Sequence, residues 1–436
     1  MDRRTFMAAS ALSVTLSATS SHARERSSVP VNAEITGIDR SHASFLMKEA
    51  GFDALVLEKA NNVYYATGIL PAMTRLGFDG DSFAIIPRDQ AAPIKFITPQ
   101  FAYYFSSADV DMPPGVQPML VTGPQGDNAA NPFFFAHPAG EPLTAKEQNR
   151  QNETKAAAPY FQSTQHAVKS ALEALKLTSD NVGYDTIYAR NIIEQAVPKA
   201  TGRDAVDIIK HIRLIKTPRE IALMKAASQA NIAAALNTAS SMRSLGSLRN
   251  IRNHFNAEVS RRGNIPGFLV INGSIDEAYD EDIVEGTTVL IDGVSSRAGY
   301  HGDYGRTVFV GEPSQAMINK VKTIGLAWDE LRPRLKPGMR FSEIRENGQA
   351  ILRKMGSDIH VPFNPHTVGL AHTEQPIHGL DGLPLDLQLQ PGMILSVDCP
   401  LMENGSGGTA HLEDLVLITE DGNEPIHDVG NQIIIA

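Results

Sequence analysis

The sequence predicts an α+β protein built from two domains. Its 436 residues exceed the usual size of one hydrophobic core, and an apolar fraction of 42% is ordinary for a globular chain. The second half alternates helical patterns with hairpins, which predicts a domain with a curved antiparallel sheet. The first half carries short apolar runs separated by Gly, Pro and Asp, which predict a smaller α/β domain of strands with intervening helices.

The chain begins with a pattern typical of a twin-arginine export signal. Residues 1–23, MDRRTFMAASALSVTLSATSSHA, combine Arg3 and Arg4 with a short apolar run and end in small residues that fit a cleavage site. We expect a periplasmic or otherwise exported protein, with a disordered basic start as the alternative. No other stretch approaches the ~20 apolar residues that a membrane span needs, so no membrane partner is expected after signal removal.

The first domain is predicted to span residues 31–208. Its strands are expected at ALVLE (54–58), VYYATG (63–68), FAIIP (83–87) and IKFIT (94–98). A helix after Gln162 and a strand near 182–185 complete the prediction. Residues 123–159 are rich in Asn, Gln, Pro and Ala and include three adjacent phenylalanines, 133–135. This composition predicts a long loop, either a lid or subunit contact or a disordered excursion.

The second domain is predicted to span residues 209–436. Thr217, Pro218 and Glu220 supply an N-cap, a first-turn proline and the glutamate of a capping box, so a helix should begin there. Further helices are expected at 317–331 and 341–354.

Four acidic residues of this domain fall into two predicted hairpins. Asp292 and Asp303 flank a turn predicted at 296–299, and Asp398 and Glu413 flank the glycine-rich run 404–408. Residues equidistant from a hairpin turn sit opposite each other on one face, with Cβ atoms roughly 5 Å apart. We therefore expect each acidic pair to be directly opposed across its hairpin.

Two such acidic pairs are unfavourable as bare like charges, and a bound cation would remove that cost. Hard oxygen ligands suit divalent metals such as Mn, Mg, Co or Zn. His366 is the nitrogen ligand that we predict beside them. His366 and His372 share parity, so an unbroken strand would direct both imidazoles to one face, although Gly369 could introduce a bulge.

Composition also excludes some classes of function. The formal net charge is −10 and basic residues are not clustered, which argues against a nucleic-acid partner. Cys399 is the single cysteine, so an intramolecular disulfide is excluded. As a nucleophile Cys399 would need a nearby base, and a buried packing residue is the alternative.

Five stretches carry a resemblance to a known family: KTPREIALMKAA (216–227), VLIDGVSSRAGYHGDYGRTVFVG (289–311), PHTVGLAHTEQP (365–376), GMILSVDCP (392–400) and HLEDLVLITEDG (411–422). Together they resemble the pita-bread metallopeptidase family, which holds Xaa-Pro aminopeptidases, prolidases and methionine aminopeptidases, together with creatinase and other non-peptidase relatives. NNVYYATGI (61–69) resembles the N-terminal domain of the creatinase and prolidase branch.

The resemblance implies a centre of two divalent metal ions, with Mn, Co, Zn and Fe as candidates. Asp292, Asp303 and Glu413 would hold the first ion. Asp303, Glu413, His366 and Asp398 would hold the second. The nucleophile implied by the family is a metal-bound hydroxide.

The same resemblance implies two catalytic residues. His372 would stabilise the oxyanion or protonate the departing nitrogen, with His378 as the reserve candidate. Asp398 stands where family members usually carry the glutamate assigned a proton-shuttling role. His411 replaces an arginine of the family pattern, and the histidine that peptidase members place before the first Asp strand has no counterpart in 271–286.

The leading functional prediction is an Xaa-Pro aminopeptidase or dipeptidase, a metallohydrolase acting on small peptides. The first alternative is a non-peptidase hydrolase or lyase of the same fold that acts on a small molecule. The second alternative is a catalytically silent binding module. A homodimer is expected by analogy with relatives that carry the additional N-terminal domain.

Overall fold

A computed structural model describes residues 37–71, 73–74, 77–78, 80–106, 112–122, 141–157, 159–178, 180–376, 386–402, 405, 408–426, 430 and 434–436. The predicted export signal, the phenylalanines 133–135 and His378 lie outside these residues. Within the described parts, no helix is both long and apolar enough to cross a bilayer.

The first half of the chain forms a mixed sheet with helices around it. Its elements are α1 (Arg40–Glu49), β1 (Ala54–Leu57), α2 (Ala60–Thr67), β2 (Phe83–Pro87), β3 (Ile94–Pro99), α3 (Gln100–Ser106), β4 (Val116–Val121), α4 (Ala145–Ala156), α5 (Thr164–Ala174), β5 (Asn181–Tyr184), α6 (Ile187–Ala196), β6 (Thr201–Asp204) and α7 (Val206–Leu214). The sheet order is β4-β3-β2-β1-β5-β6. The predicted α/β arrangement of this half is confirmed.

Two local predictions for this half are wrong. Residues 63–68 belong to helix α2 and not to a strand, because Val63, Ala66 and Thr67 recur at helical spacing and are all buried. The predicted loop 123–159 contains helix α4. Its start is a capping box in which Thr144 and Glu147 satisfy each other's backbone N–H groups.

The second half forms a large, mainly antiparallel sheet flanked by helices. Its elements are α8 (Pro218–Leu245), α9 (Leu248–Arg261), β7 (Ile265–Ile271), β8 (Thr288–Arg297), β9 (Tyr300–Phe309), α10 (Gln315–Leu331), α11 (Phe341–Lys354), β10 (Asn364–Thr367), β11 (Ile394–Asp398), β12 (Leu412–Ile418), β13 (Asn423–Pro425) and β14 (Ile434–Ile435). The sheet order is β10-β11-β12-β9-β8-β7, with β13 beside β12 and β14 parallel to β9. The predicted α+β domain is confirmed.

The turn between β8 and β9 differs from the prediction. The strands continue to Arg297 and resume at Tyr300, so Ala298 and Gly299 form a two-residue connection. Both residues have positive φ, at 48° and 83°, which is the geometry of the hairpin turns that match strand twist. The centre of the hairpin therefore lies one residue later than the predicted turn at 296–299.

This shift changes how the first acidic pair meets. Asp292 is opposite Gly305, while Asp303 is opposite Val294, so the two carboxylates are diagonal neighbours and not directly opposed. A shift by two in partner number keeps both side chains on one face of the sheet. In the second pair, Asp398 is opposite Glu413, as predicted.

The two sheets share a hydrophobic core. One buried cluster contains Leu55 and Phe96 of the first sheet together with Leu415 of the second and Met224 of α8. The predicted capping box at the start of α8 is present, with Glu220 accepting the backbone N–H of Thr217 at 2.8 Å. The site-bearing sheet therefore rests on a continuous core and does not depend on loops for its position.

Candidate metal centre

The five predicted metal ligands lie on five strands that are consecutive neighbours in the large sheet. In the order of the strands from β10 to β8 they are His366, Asp398, Glu413, Asp303 and Asp292. Side chains at equivalent positions of neighbouring strands project from one face a few ångströms apart. The sheet therefore brings together all five residues that the sequence selected.

His366 lies among three of the carboxylates. Its Nε2 is 3.4 Å from Glu413 Oε1, 3.6 Å from Asp398 Oδ1 and 3.8 Å from Asp303 Oδ2. Ser396 donates a hydrogen bond to Glu413 Oε1 at 2.7 Å, which holds that carboxylate in place. These separations are compatible with donors that converge on a small cation.

Two groups of donors are each compact enough to hold an ion. One consists of Asp303, His366, His372 and Glu413, and the other of Asp292, His411 and Glu413; in each, the ligand atoms lie within 4.8 Å of one another. Glu413 belongs to both groups, as expected of a bridging carboxylate. The division of the ligands between two ions stays a prediction.

His372 reaches the centre from a loop and not from a strand. Strand β10 ends at Thr367, and the chain then bends, so the shared parity of the two histidines does not explain their meeting. His372 Nε2 nevertheless lies 3.1 Å from Asp303 Oδ2, and its ring centroid lies 4.8 Å from that of His366. Phe268 of β7 packs edge-on against the His372 ring at 5.1 Å.

A buried ion cluster shapes this loop. Glu374 Oε1 accepts the backbone N–H groups of Leu370 at 2.8 Å and Ala371 at 3.2 Å. The same carboxylate pairs with the guanidinium of Arg213 and with Lys216, whose Nζ lies 2.9 Å from Oε2. The sequence predicted no role for these residues. No sequence signal identifies the cluster, because its members come from distant parts of the chain.

Helices α2 and α7 of the first half also lie against the loop. Asn61 of α2 donates to the carbonyl oxygen of Leu370 at 3.0 Å, and Arg213 donates to the side chain of Asn62 at 2.7 Å. A cavity of about 570 Å³ lies beside these contacts and includes Ala371 in its lining. The cavity borders the His372 loop, but none of the metal-centre residues lines it.

Exposure is unequal across the centre. The side chains of Asp303 and Glu413 are 0% and 1% exposed, whereas those of Asp398 and His372 are 28% and 31% exposed. Solvent therefore reaches the centre from the side of Asp398 and His372.

Burial has a large electrostatic effect on the carboxyl groups. It raises the pKa of Asp292 and of Asp303 well above the usual range, and the neighbouring carboxylates raise both further. Burial likewise raises the pKa of Asp398 to about 6. Without a cation, these groups resist simultaneous ionisation.

Glu413 and His366 partly offset this effect, because they favour their charged forms in spite of burial. Burial opposes ionisation of Glu413, but hydrogen bonds to His366 and His411 hold its pKa well below the usual range. Burial also opposes protonation of His366, but Asp398 and Glu413 raise its pKa well above the usual range. The pKa of His372 is lowered by burial and by the nearby His366, which favours a neutral imidazole.

The donor set fits a pair of divalent cations. Among the described residues, no hydrogen-bond donor in suitable geometry satisfies the buried oxygens Asp292 Oδ1, Asp303 Oδ1 and Asp303 Oδ2. Buried carboxylates without donors are costly unless a cation coordinates them. Carboxylate and imidazole donors together suit Mn, Co, Zn and Fe.

His411 is a candidate ligand that the sequence analysis missed. The sequence marks it only as a replacement of a family arginine, yet the structure places its Nε2 3.2 Å from Glu413 Oε2, within the donor group of Asp292. His411 lies immediately before β12 and two residues before Glu413, and this spacing was the available signal. Cys399, by contrast, is fully buried in a hydrophobic cluster, and burial raises the pKa of its thiol, so it is a packing residue.

Carboxylates and imidazoles converging on one face of this sheet define a protein with the donor set of a divalent-metal centre. The chain belongs to metallopeptidase family M24, which it matches over residues 203–420, half of its length. The resemblance to pita-bread metallopeptidases is thereby confirmed.

Three comparisons illustrate the relationship. The chain is 28% identical to the Probable dipeptidase PepE of Mycobacterium bovis over 158 residues, which are 36% of this chain and 41% of that protein. It is 26% identical to the Xaa-Pro dipeptidase of Pyrococcus furiosus over 263 residues, which are 57% of this chain and 74% of that one. The crystal structure of the prolidase from Pyrococcus horikoshii superposes with a TM-score of 0.64 at 18% identity, covering 91% of this chain and 99% of that one. The last comparison shows a shared fold.

Proposed function

We propose that this protein is a metal-dependent hydrolase that cleaves Xaa-Pro peptides as an aminopeptidase or dipeptidase. The observation that carries the proposal is the convergence of five donor side chains from neighbouring strands within an M24 fold. The names of similar proteins, among them an Xaa-Pro dipeptidase and a prolidase, support proline-containing substrates.

Two divalent cations bound here would lower the pKa of a water and polarise the scissile carbonyl. Asp292, Asp303 and Glu413 would hold one ion. Asp303, Glu413, His366 and Asp398 would hold the other. Mn, Co, Zn and Fe all suit this mixture of carboxylate and imidazole donors.

His372 and Asp398 would act on the substrate side of the centre, where both are partly exposed. His372, neutral because its pKa is lowered, would donate its Nε2–H to the developing oxyanion. Asp398, with a pKa raised to about 6 by burial, would accept a proton from the attacking water and deliver it to the departing nitrogen.

The proposal is tested with purified protein that has been stripped of metal and reloaded with Mn, Co or Zn. We expect hydrolysis of Xaa-Pro dipeptides or of Xaa-Pro-Yaa tripeptides, measured by release of the N-terminal amino acid. Asp303→Asn should lower kcat/KM by roughly 100-fold or more, because it removes a donor shared by both ions. Asp329→Asn, an exposed position on α10, is the matched control and should retain full activity.

The absence of hydrolysis for every proline-containing peptide, with metal demonstrably bound, would contradict the proposed specificity. It would favour a hydrolase or lyase that acts on a small molecule. One observation supports that second candidate: the segment 271–286 contains no histidine, and the β7 side chain packed on His372 is the apolar Phe268. Protein that binds no metal and resists chelators would instead indicate a silent binding module.

We also propose export through the twin-arginine route and assembly as a homodimer. The arginine pair, the apolar run and the small residues before position 24 support export through the twin-arginine route. N-terminal sequencing of protein from a periplasmic fraction should begin after Ala23, and an uncleaved cytosolic product would contradict it. For the homodimer, light scattering on the mature protein should give twice the mass of the chain. A monomer mass would contradict the proposed dimer.

A further inference from the structure

We propose that His411 is itself a ligand of the first ion, which makes that site a mixed nitrogen and oxygen site. The inference rests on the dinuclear centre proposed above. It assigns a coordinating role to a residue outside the five predicted ligands.

The position of the imidazole supports ligation. His411 Nε2 lies 3.2 Å from Glu413 Oε2, and the two atoms form a compact group with a carboxylate oxygen of Asp292. Donor atoms that are about 2.0–2.2 Å from one ion, at angles between octahedral and tetrahedral values, lie roughly 3.0–3.5 Å apart. The observed distance between the two donors falls in that interval.

The sheet leaves a space for this ring. Gly305 is opposite both Asp292 on β8 and Glu413 on β12, so it occupies the sheet position between the two carboxylates. A Cβ atom at Gly305 would overlap the His411 ring and approach Glu413 Cβ to 2.9 Å. The missing side chain therefore allows the imidazole to lie between the carboxylates, over the backbone of β9.

The backbone of His411 is also fixed. Its N–H donates to Thr307 Oγ1 at 2.8 Å, and the Thr307 hydroxyl donates to the His411 carbonyl oxygen at 3.1 Å. The side chain is 5% exposed, and among the described residues its Nδ1 has no hydrogen-bond partner. Nε2 is therefore the nitrogen that engages the centre.

A second observation points to a ligand at this position. Asp292 Oδ1 is buried and has no hydrogen-bond donor among the residues that the structure describes. If His411 only oriented Glu413 by a hydrogen bond, Asp292 Oδ1 would remain buried without a hydrogen-bond donor or a cation. An ion shared by Asp292, Glu413 and His411 satisfies all three groups.

The proposed ligand set has a consequence for metal preference. Imidazole suits Zn, Fe and Cu, whereas sites made of carboxylates alone suit Mg, Ca and Mn. We therefore expect the first ion of this protein to favour Zn over Mn more strongly than a carboxylate-only site would.

The test compares zinc and manganese binding by the full chain and by His411→Gln, a variant that removes the imidazole. Each protein is stripped of metal, and dissociation constants are measured by competition with a chromophoric chelator. His411→Gln should weaken zinc binding at one of the two metal sites by about 10–100-fold. Its effect on manganese binding should be much smaller. His254→Gln, which alters a histidine bonded to Thr238 away from the centre, is the control and should leave both constants unchanged.

X-ray absorption at the zinc edge provides a direct second readout. In a His366→Gln/His372→Gln background, which removes the other imidazoles of the centre, imidazole scattering should persist because His411 remains, and it should disappear in the triple variant that also carries His411→Gln. Circular dichroism checks that the variants fold. If His411→Gln does not fold, Gly305→Ala, which displaces the ring, should produce the same selective loss of zinc.

Equal weakening of zinc and manganese binding would indicate a positioning role through Glu413 and would overturn the inference. Unchanged zinc binding, or imidazole scattering that is already absent in the His366→Gln/His372→Gln variant, would overturn it as well. These outcomes are independent of peptide hydrolysis. A protein that shows selective zinc loss but cleaves no Xaa-Pro peptide would retain this inference and lose the proposed function.

Discussion

Replacing Glu374 with glutamine tests whether the buried ion cluster holds the His372 loop. The Glu374 side chain is 3% exposed and compensates two buried cations, Arg213 and Lys216. Although burial opposes its ionisation, those cations lower the pKa of Glu374 from 4.5 to about 2. This lowering of the pKa corresponds to roughly 3 kcal/mol, and breaking a buried pair typically costs about 3–5 kcal/mol. We therefore expect Glu374→Gln to lower the free energy of unfolding by about 3 kcal/mol or more at neutral pH.

Urea denaturation followed by tryptophan fluorescence measures this loss. Trp328 is the single tryptophan, is buried, and donates to Asp414 at 2.9 Å, so its emission reports unfolding of the second half of the chain. The matched control is Glu424→Gln, because Glu424 is an exposed partner of Lys225 at 3.9 Å. The control should shift stability by less than about 0.5 kcal/mol.

The pH dependence of stability gives a second check on the ion cluster of Glu374, Arg213 and Lys216. Because the folded-state pKa of Glu374 is depressed, its contribution is fully present above about pH 4.5 and is lost as the pH falls towards 2. The difference in stability between the wild-type protein and Glu374→Gln should shrink over that interval. Equal denaturation midpoints for the two proteins at pH 7 would refute the reasoning.

Three further predictions concern metal binding. Asp398→Ala should lose one ion and Asp303→Ala both, measured by elemental analysis; equal metal contents would contradict the proposed division of ligands. Chelation should lower the thermal unfolding midpoint, because the buried carboxylates lose their counter-charge, and reloading with Mn or Zn should restore it; an unchanged midpoint would argue against bound metal. Metal affinity, measured by calorimetry between pH 5 and 7.5, should fall as the pH drops, because protonation of Asp398, whose pKa is raised to about 6, and of Asp292, Asp303 and His366, whose pKa values are also raised, competes with the ion; a constant affinity would exclude that competition.

Much of the second half of the chain could be predicted because its signals are local. The capping box of Thr217 and Glu220 and the helix Phe341–Lys354 follow from residues adjacent in sequence. The strand predicted at 63–68 failed because aromatic and β-branched residues indicate strands only weakly. Burial of Val63, Ala66 and Thr67 on one face of a helix decided that segment.

The hairpin of Asp292 and Asp303 shows where local reasoning loses precision. The prediction located the turn to within one residue, and its error moved the pair from opposed to diagonal. The face of the sheet was nevertheless predicted correctly, because a displacement by two residues preserves the alternation of side chains. Turn geometry at Ala298 and Gly299 is set by the twist of the complete sheet, which single-sequence patterns do not report.

The amino-acid sequence by itself determined the donor types, the strands that carry them and the face on which four carboxylates meet, because period-two alternation is a local property of the chain. Only the tertiary structure decided that His411 lies over Gly305 and that Glu374 anchors the His372 loop through Arg213 and Lys216. Those contacts join residues more than 100 positions apart, and the energy that selects them comes from burial and charge compensation in the folded chain.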